Sequence, residues 1–233
     1  MKNTEKRINL GAGVLTAPVP PVMVTVGDME NANIITIGWT GILATKPPKT
    51  YISVRPERYS YKILKERGEF VINLASRHLA YETDYAGIYS GKNVDKFEKL
   101  GLTKYPSEKV ACPTIAECPV SIECRVSEVI PMGTHDVFLA DILSVSCRHD
   151  IVDGDGRADF ALADLLAYAH GEYYALGDKL GRIGFSTDKK TDKKIDKKKE
   201  EKKTAPFYKA VAKQTKKAPA ANKDKGKPKR RDK

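Results

Sequence analysis

An antiparallel β-barrel interrupted by small helices is the fold class this sequence predicts. Three observations predict it. Short β-branched runs recur through residues 21–74, each bounded by Gly, Pro or Asn. Residues 120–127 alternate, with Val120, Ile122, Cys124 and Val126 opposed to Ser121, Glu123, Arg125 and Ser127, which is the period of a half-buried strand. The helical segments between such runs are too short to serve as the crossovers of a doubly wound parallel sheet.

In chain order, residues 21–27 (P-V-M-V-T-V-G) read as a first strand, stopped by Gly27-Asp28. Residues 34–39 read as a second, and the short link between the two predicts a hairpin. Pro47-Pro48 breaks the chain before a third strand over 51–54. Residues 60–66 carry a helical pattern with Ser60 placed to cap it. Residues 70–74 form the fourth strand, and 78–85 and 94–100 read as short helices. The alternating run 120–129 pairs antiparallel with 137–145 across Pro131-Met132-Gly133. Residues 162–168 are a short apolar segment.

Charge divides the chain unevenly. Residues 188–233 hold 20 Lys+Arg against 7 Asp+Glu, whereas 1–187 hold 21 against 23. Domain organisation follows from this: a nearly neutral folded body over 1–187 and a Lys-rich tail over 188–233. The tail opens on a T-D-K-K repeat, and its large apolar residues are Ile195, Phe207, Tyr208 and Val211. These are too few to offset the entropy of ordering it, so disorder or nascent helix is expected there. A basic pI therefore argues for nucleic-acid contact through the tail alone. No apolar leader opens the chain, and no apolar run reaches the roughly 20 residues that span a bilayer. A soluble, cytoplasmic protein without membrane contact is expected. Cys112, Cys118, Cys124 and Cys147 lack redox or zinc spacing and read as structural thiols. No metal set and no acid–base pair is assigned.

The strand ends carry the chemistry. Thr36, Gly38, Thr40, Ser53, Arg55 and Asn73 close apolar runs with hydroxyls, a planar cation and an amide. That set suits a ligand with a flat ring at one end and a phosphate at the other. It points to a flavin nucleotide, and so to redox chemistry.

Five segments in order, N-x-I-T-I-G-W-T-G (33–41), S-V-R-P-x-R-Y-S (53–60), E-F-V-I-N-L (69–74), S-G-K-N-V-D-K-F (90–97) and G-T-H-D-V-F-L-A (133–140), together resemble the flavin reductase-like family. Within it the nearest likeness is to the flavoredoxin and archaeal ferric-reductase branch. The resemblance spans residues 10–185 and leaves the tail out. It implies an FMN-binding split β-barrel of Greek-key type, usually a homodimer with the cofactor near the subunit interface. Main-chain groups of Thr36, Ile37, Gly38, Trp39 and Thr40 would meet the ring edge, with Gly38 permitting close approach. Ser53, Arg55, Ser60 and the first amides of the following helix suit the phosphate. Val54, Arg58, Tyr61 and Leu74 belong to the same matched stretches. Asn73 would reach ribityl or phosphate oxygens through its amide. Ser90, Lys92, Lys96 and Phe97 are carried over from the family's position beside the flavin.

The reading that follows is an oxidoreductase working through flavin N5, with NAD(P)H as the implied hydride donor and free flavin, ferric chelate or a redox protein as acceptor. Two alternatives remain at this level: a flavoredoxin-type electron carrier without direct nicotinamide use, and a flavin domain tethered to nucleic acid or an acidic partner by its tail. His135 reads equally as a contact on the nicotinamide or flavin side and as a structural histidine. His78, His149 and His170 receive no role.

Overall fold

The computed structural model describes residues 7–187. The tail expectations for 188–233 lie outside the described residues. Described residues up to Asp178 fall in one compact unit, and those from Lys179 belong to a second. In the second unit the described secondary structure is a 3₁₀ turn, Phe185–Thr187.

Seven strands form one antiparallel sheet in the order β2-β1-β5-β8-β9-β4-β3. They are β1 (Val22–Val26), β2 (Asn33–Ile37), β3 (Thr40–Thr45), β4 (Pro48–Val54), β5 (Glu69–Leu74), β8 (Val120–Pro131) and β9 (Asp136–Cys147). The two edge strands, β2 and β3, are consecutive in the chain. Gly38 and Trp39 alone separate them, so Ile37 and Thr40 lie within the roughly 11 Å that three residues reach. A seven-stranded sheet whose edges are tied this closely must curl on itself. It does not close, because β2 and β3 share no ladder, and the result is a split barrel with the split at Gly38-Trp39.

The sequence reading places one strand over 34–39. The structure breaks it at Gly38-Trp39 and starts β3 at Thr40, a strand the sequence reading missed. The reason is topological: the chain must leave one edge of the barrel and join the other. Two short hairpins were also missed, β6–β7 (Lys104–Tyr105 with Thr114–Ile115) and β10–β11 (Leu166–Ala169 with Glu172–Ala175). In the second, His170 and Gly171 both take positive φ, 47° and 95°, the backbone of a tight two-residue hairpin turn.

β1 is buried along its whole length because it lies between two cores. Val22, Val24 and Val26 face the barrel interior with Ile35, Ile52, Val54, Phe70, Ile72 and Phe138. Met23 faces the opposite way, onto Leu79, Ala86, Phe97, Leu102 and Ile115. Helix α1 (Tyr59–Arg67) plugs the barrel through Leu64. Helices α2 (Ala80–Ile88) and α3 (Lys96–Leu100) enclose the second core. Each large side chain sealed here, such as Phe70 or Phe138, contributes about 2–3 kcal/mol of burial. The long β8–β9 ribbon carries two register shifts, and bulges of this kind bend and twist a ribbon. Among the described residues no helix is long and apolar enough to cross a membrane.

Candidate functional site

Two connected cavities lie along the split. The central cleft, about 280 Å³, is walled by β2 and the edge crossing (Ile35, Thr36, Ile37, Gly38, Trp39), by the end of β4 (Ser53, Val54, Arg55), and by Arg58. Its far wall is α2 (Asp84, Gly87, Ile88), His135, Tyr168 and Tyr173. The inner pocket, about 120 Å³, continues past Ile35 and Arg58 to Asn33, Ser60, Ser90, Gly91 and Lys96.

Backbone geometry makes both cavities. Helix α2 docks closely on β2, where a Cβ on Gly87 would meet Thr36 Cβ at 3.1 Å. Thr36 Oγ1 donates to the Thr83 carbonyl and Arg58 Nη1 to the Gly87 carbonyl at 3.0 Å, so both ends of the roof are tied down. In the inner pocket a Cβ on Gly91 would lie 2.2 Å from Asn33 Oδ1 and 2.8 Å from Tyr59. Only glycine lets the chain pass there. Tyr168 is held at the cleft wall by a two-way backbone pair with Val19, at 2.9 and 2.8 Å.

Electrostatically the inner pocket is built for an anion. The N-terminus of α1 opens on it through Tyr59 and Ser60. That end has no side-chain cap and no acidic residue in its first turn, so no side chain competes with a ligand for its first amides and positive dipole end. Lys96 enters from α3, whose N-cap Asp95 accepts from the Phe97 and Glu98 amides. Lys96 is 4% exposed. It donates to the Ile34 carbonyl at 2.6 Å and the Ala86 carbonyl at 2.7 Å. An ammonium has three donors, which leaves one for the pocket. Burial, reinforced by the nearby Arg58 guanidinium, pulls the Lys96 pKa down to about 8. In the central cleft, burial and the hydrogen-bonded Asp84 carboxylate push the Tyr173 phenol up to about 12, so it remains protonated.

The structure brings together Thr36, Ile37, Gly38, Trp39, Ser53, Val54, Arg55 and Arg58 around the cleft, and Arg58, Ser60, Ser90 and Lys96 around the inner pocket. Thr40 lies just outside, on an adjoining outer chamber. Five expected contacts are not brought in. Asn73 is wholly buried with its amide committed. Its Nδ2 donates to the Met23 carbonyl at 3.0 Å, and its Oδ1 accepts from Ile115 N at 3.0 Å and Ser121 Oγ at 2.8 Å. Leu74 packs between core clusters. Tyr61 packs edge-on against Phe138 and donates to the Asp136 carboxylate. Phe97 is core, with Lys104 Nζ 5.3 Å from its ring centroid. Lys92 is exposed.

Ser60 is also corrected. It does not cap α1: Arg58 holds the N-cap position, and Ser60 Oγ accepts from Asn33 Nδ2 at 2.7 Å. The sequence reading missed Asn33, Asp84, Gly87, Ile88, Gly91, Tyr168 and Tyr173. The two tyrosines had a signal in A-Y-A-H-G-E-Y-Y (167–174), where apolar residues flank a two-residue turn. The residues of α2 had none, since only its docking on β2 turns them toward the cleft.

A family profile described as "Flavin reductase like domain" matches residues 15–177. The chain belongs to that family. Among solved structures, flavoredoxin of Desulfovibrio vulgaris (Miyazaki F) superposes with a TM-score of 0.73 at 35% identity, covering 78% of this chain and 100% of its own. Flavoredoxin from Methanosarcina acetivorans gives 0.73 at 25% identity, covering 79% and 98%. A relative described as NADPH-flavin oxidoreductase, from Streptomyces viridifaciens, is 26% identical over 60% of this chain and 68% of its own. Membership in the flavin reductase-like family establishes the split-barrel fold expected from the motifs and makes flavin-linked redox chemistry the domain's function.

Proposed function

We propose that the split holds FMN and that the protein is an NAD(P)H-dependent flavin or ferric reductase. One observation carries this reading: a wide cleft lined by backbone and aromatic groups runs directly into a small pocket holding a buried ammonium, an uncapped helix N-terminus and Arg58. A ring with a phosphate tail matches that pair of volumes in order. The residues fit the group on two counts. Lys96 has a donor to spare, and the α1 amides lack a partner side chain.

Ser60, Arg58, Lys96 and the first α1 amides would hold the phosphate, and Ser53, Arg55 and the Thr36–Trp39 backbone the rest. FMN when bound supplies hydride and single-electron transfer at its ring. Trp39, Ile88, Tyr168 and Tyr173 would shield the bound ring from water, and Asp84 keeps the Tyr173 proton in place. A nicotinamide donor agrees with the name of the Streptomyces relative. A second copy would pair on the free edge of β3, where Ile42 and Leu43 stand exposed beside Trp39.

The test begins with the visible spectrum of the purified chain and the identity of any released chromophore. A flavin spectrum and FMN are expected. Colourless protein that also fails to take up FMN would overturn the proposal. Stopped-flow mixing with NADH and with NADPH then separates reductase from carrier. Bleaching is expected with at least one donor, and no bleaching with either leaves an electron carrier of the flavoredoxin type.

A further inference from the structure

Outside the central cleft, and sharing Gly38, Trp39, Ser53, His135 and Tyr168 with it, lies an outer chamber of about 660 Å³. Its remaining walls come from residues 13–17 and Val19, the outer faces of β3, β4 and β9 (Thr40, Tyr51, Val137), Met132 and His170. Strand alternation explains the outer face. Ile52 and Val54 of β4 point into the barrel core, so Tyr51 and Ser53 point out, and Ser53 lies opposite Val137 of β9.

Charge distinguishes this chamber from its neighbours. The cleft and inner pocket carry Arg55, Glu57, Arg58, Asp84 and Lys96. No Asp, Glu, Lys or Arg among the described residues lines the outer chamber; its only titratable side chains are His135, His170 and the phenols of Tyr51 and Tyr168. An anion placed there would give up part of its water to walls that carry no counter-charge, which is unfavourable. A dinucleotide would bring its pyrophosphate to walls that offer nothing to pair with. A planar uncharged molecule would meet Trp39, Tyr51 and Tyr168 for stacking, with Ser53 and imidazole groups for its oxygens. The volume lies in the range of pockets that enclose small organic ligands.

We infer that the outer chamber is the site of an uncharged, planar two-electron acceptor of the quinone class. Binding stands on the chamber alone; the redox role rests on the flavin reading. In that role the acceptor takes a hydride from the reduced flavin and a second proton from solvent. Hydroquinone and oxidised flavin result, so two electrons and two protons balance.

The experiment is calorimetric titration of the full-length, FMN-saturated chain with menadione and, separately, with a naphthoquinone sulfonate. One saturable menadione site per chain is expected, at least tenfold tighter than for the sulfonate. Val137→Lys, which places a cation in the chamber, should weaken menadione tenfold and narrow or reverse the preference. Met132→Lys, at the exposed rim, makes the same test where Val137→Lys fails to fold; circular dichroism and thermal melting report folding for both. No saturable binding, equal affinity for the two probes, or unchanged binding in the folded variants would overturn the inference. FMN uptake is measured alongside. FMN bound without menadione sinks the chamber and leaves the flavin reading. Menadione bound by a chain that refuses FMN does the reverse.

Discussion

Asn73 and Lys96 are both buried polar side chains, and the motifs assign both to the cofactor. The structure separates them. Asn73 is saturated by the chain itself: the Met23 carbonyl, the Ile115 amide and the Ser121 hydroxyl take its amide. It pins β5 to β1, to β8 and to the β7 hairpin (Thr114–Ile115), and nothing is left for a ligand. Lys96 has two carbonyl partners for three donors, sits beside a second cation, and opens on a cavity. A buried group with every bond made holds a fold together. One with a charge and a spare donor at a cavity wall is prepared for something not in the chain.

The largest effect expected is on stability. Asn73→Ala strands the Ile115 amide and the Ser121 hydroxyl in a dry core and should cost about 3 kcal/mol, read as a shifted urea midpoint. FMN affinity of whatever remains folded should be near wild type. A selective loss of FMN binding at full stability would return Asn73 to the site.

Lys96→Gln should do the opposite, weakening FMN about thirtyfold with a smaller stability change. Its pH signature is the sharper measurement. In the free protein the ammonium titrates at about 8, and a bound phosphate would raise that value. Affinity is then full below pH 8 and falls as pH rises through it, by up to about tenfold per unit until the bound-state pKa is reached. The other charged side chains lining the pocket are Arg58 and Glu57. Fluorescence titrations of FMN from pH 7 to 9.5 should show this slope in the wild type and lose it in Lys96→Gln. Equal slopes would reduce Lys96 to a structural clamp.

Gly91→Ala tests the pocket without touching charge. Its Cβ would lie 2.2 Å from Asn33 Oδ1, so Asn33 or the 89–92 segment must shift and the Asn33–Ser60 hydrogen bond with it. A loss of about tenfold in FMN affinity is expected, and unchanged affinity would show that the phosphate lies elsewhere. The smallest effect belongs to Lys92→Ala. Lys92 is exposed, and the change should stay within about 0.5 kcal/mol in stability with FMN affinity unmoved. Appreciable weakening would bring it back into contact.

Local pattern made much of this protein legible. β1, α1, β5 and the long β8–β9 ribbon follow from runs and periods in the chain, and the hairpin at 131–133 from its turn residues. The cleft residues from Thr36 to Trp39 and from Ser53 to Arg58 were legible because each group is contiguous, so the element that carries one residue carries its neighbours. Asn73, Leu74, Tyr61 and Phe97 were misassigned for the same reason. They share motifs with cavity residues but sit on the opposite side of their elements, and adjacency in sequence does not say which face a barrel presents.

What residues alone determined is the strands β1, β2, β4, β5, β8 and β9, the family and the amphipathic faces, all of which depend on spacing over a few positions. Only the tertiary structure decided where the barrel splits, that α2 and the β10–β11 hairpin complete the cleft, and which buried polar groups are already satisfied. Those outcomes depend on the meeting of elements tens of residues apart, α2 with β2 at the cleft and α3 with β2 through one lysine. A hydrogen bond across 62 positions leaves no periodic trace in the chain that makes it.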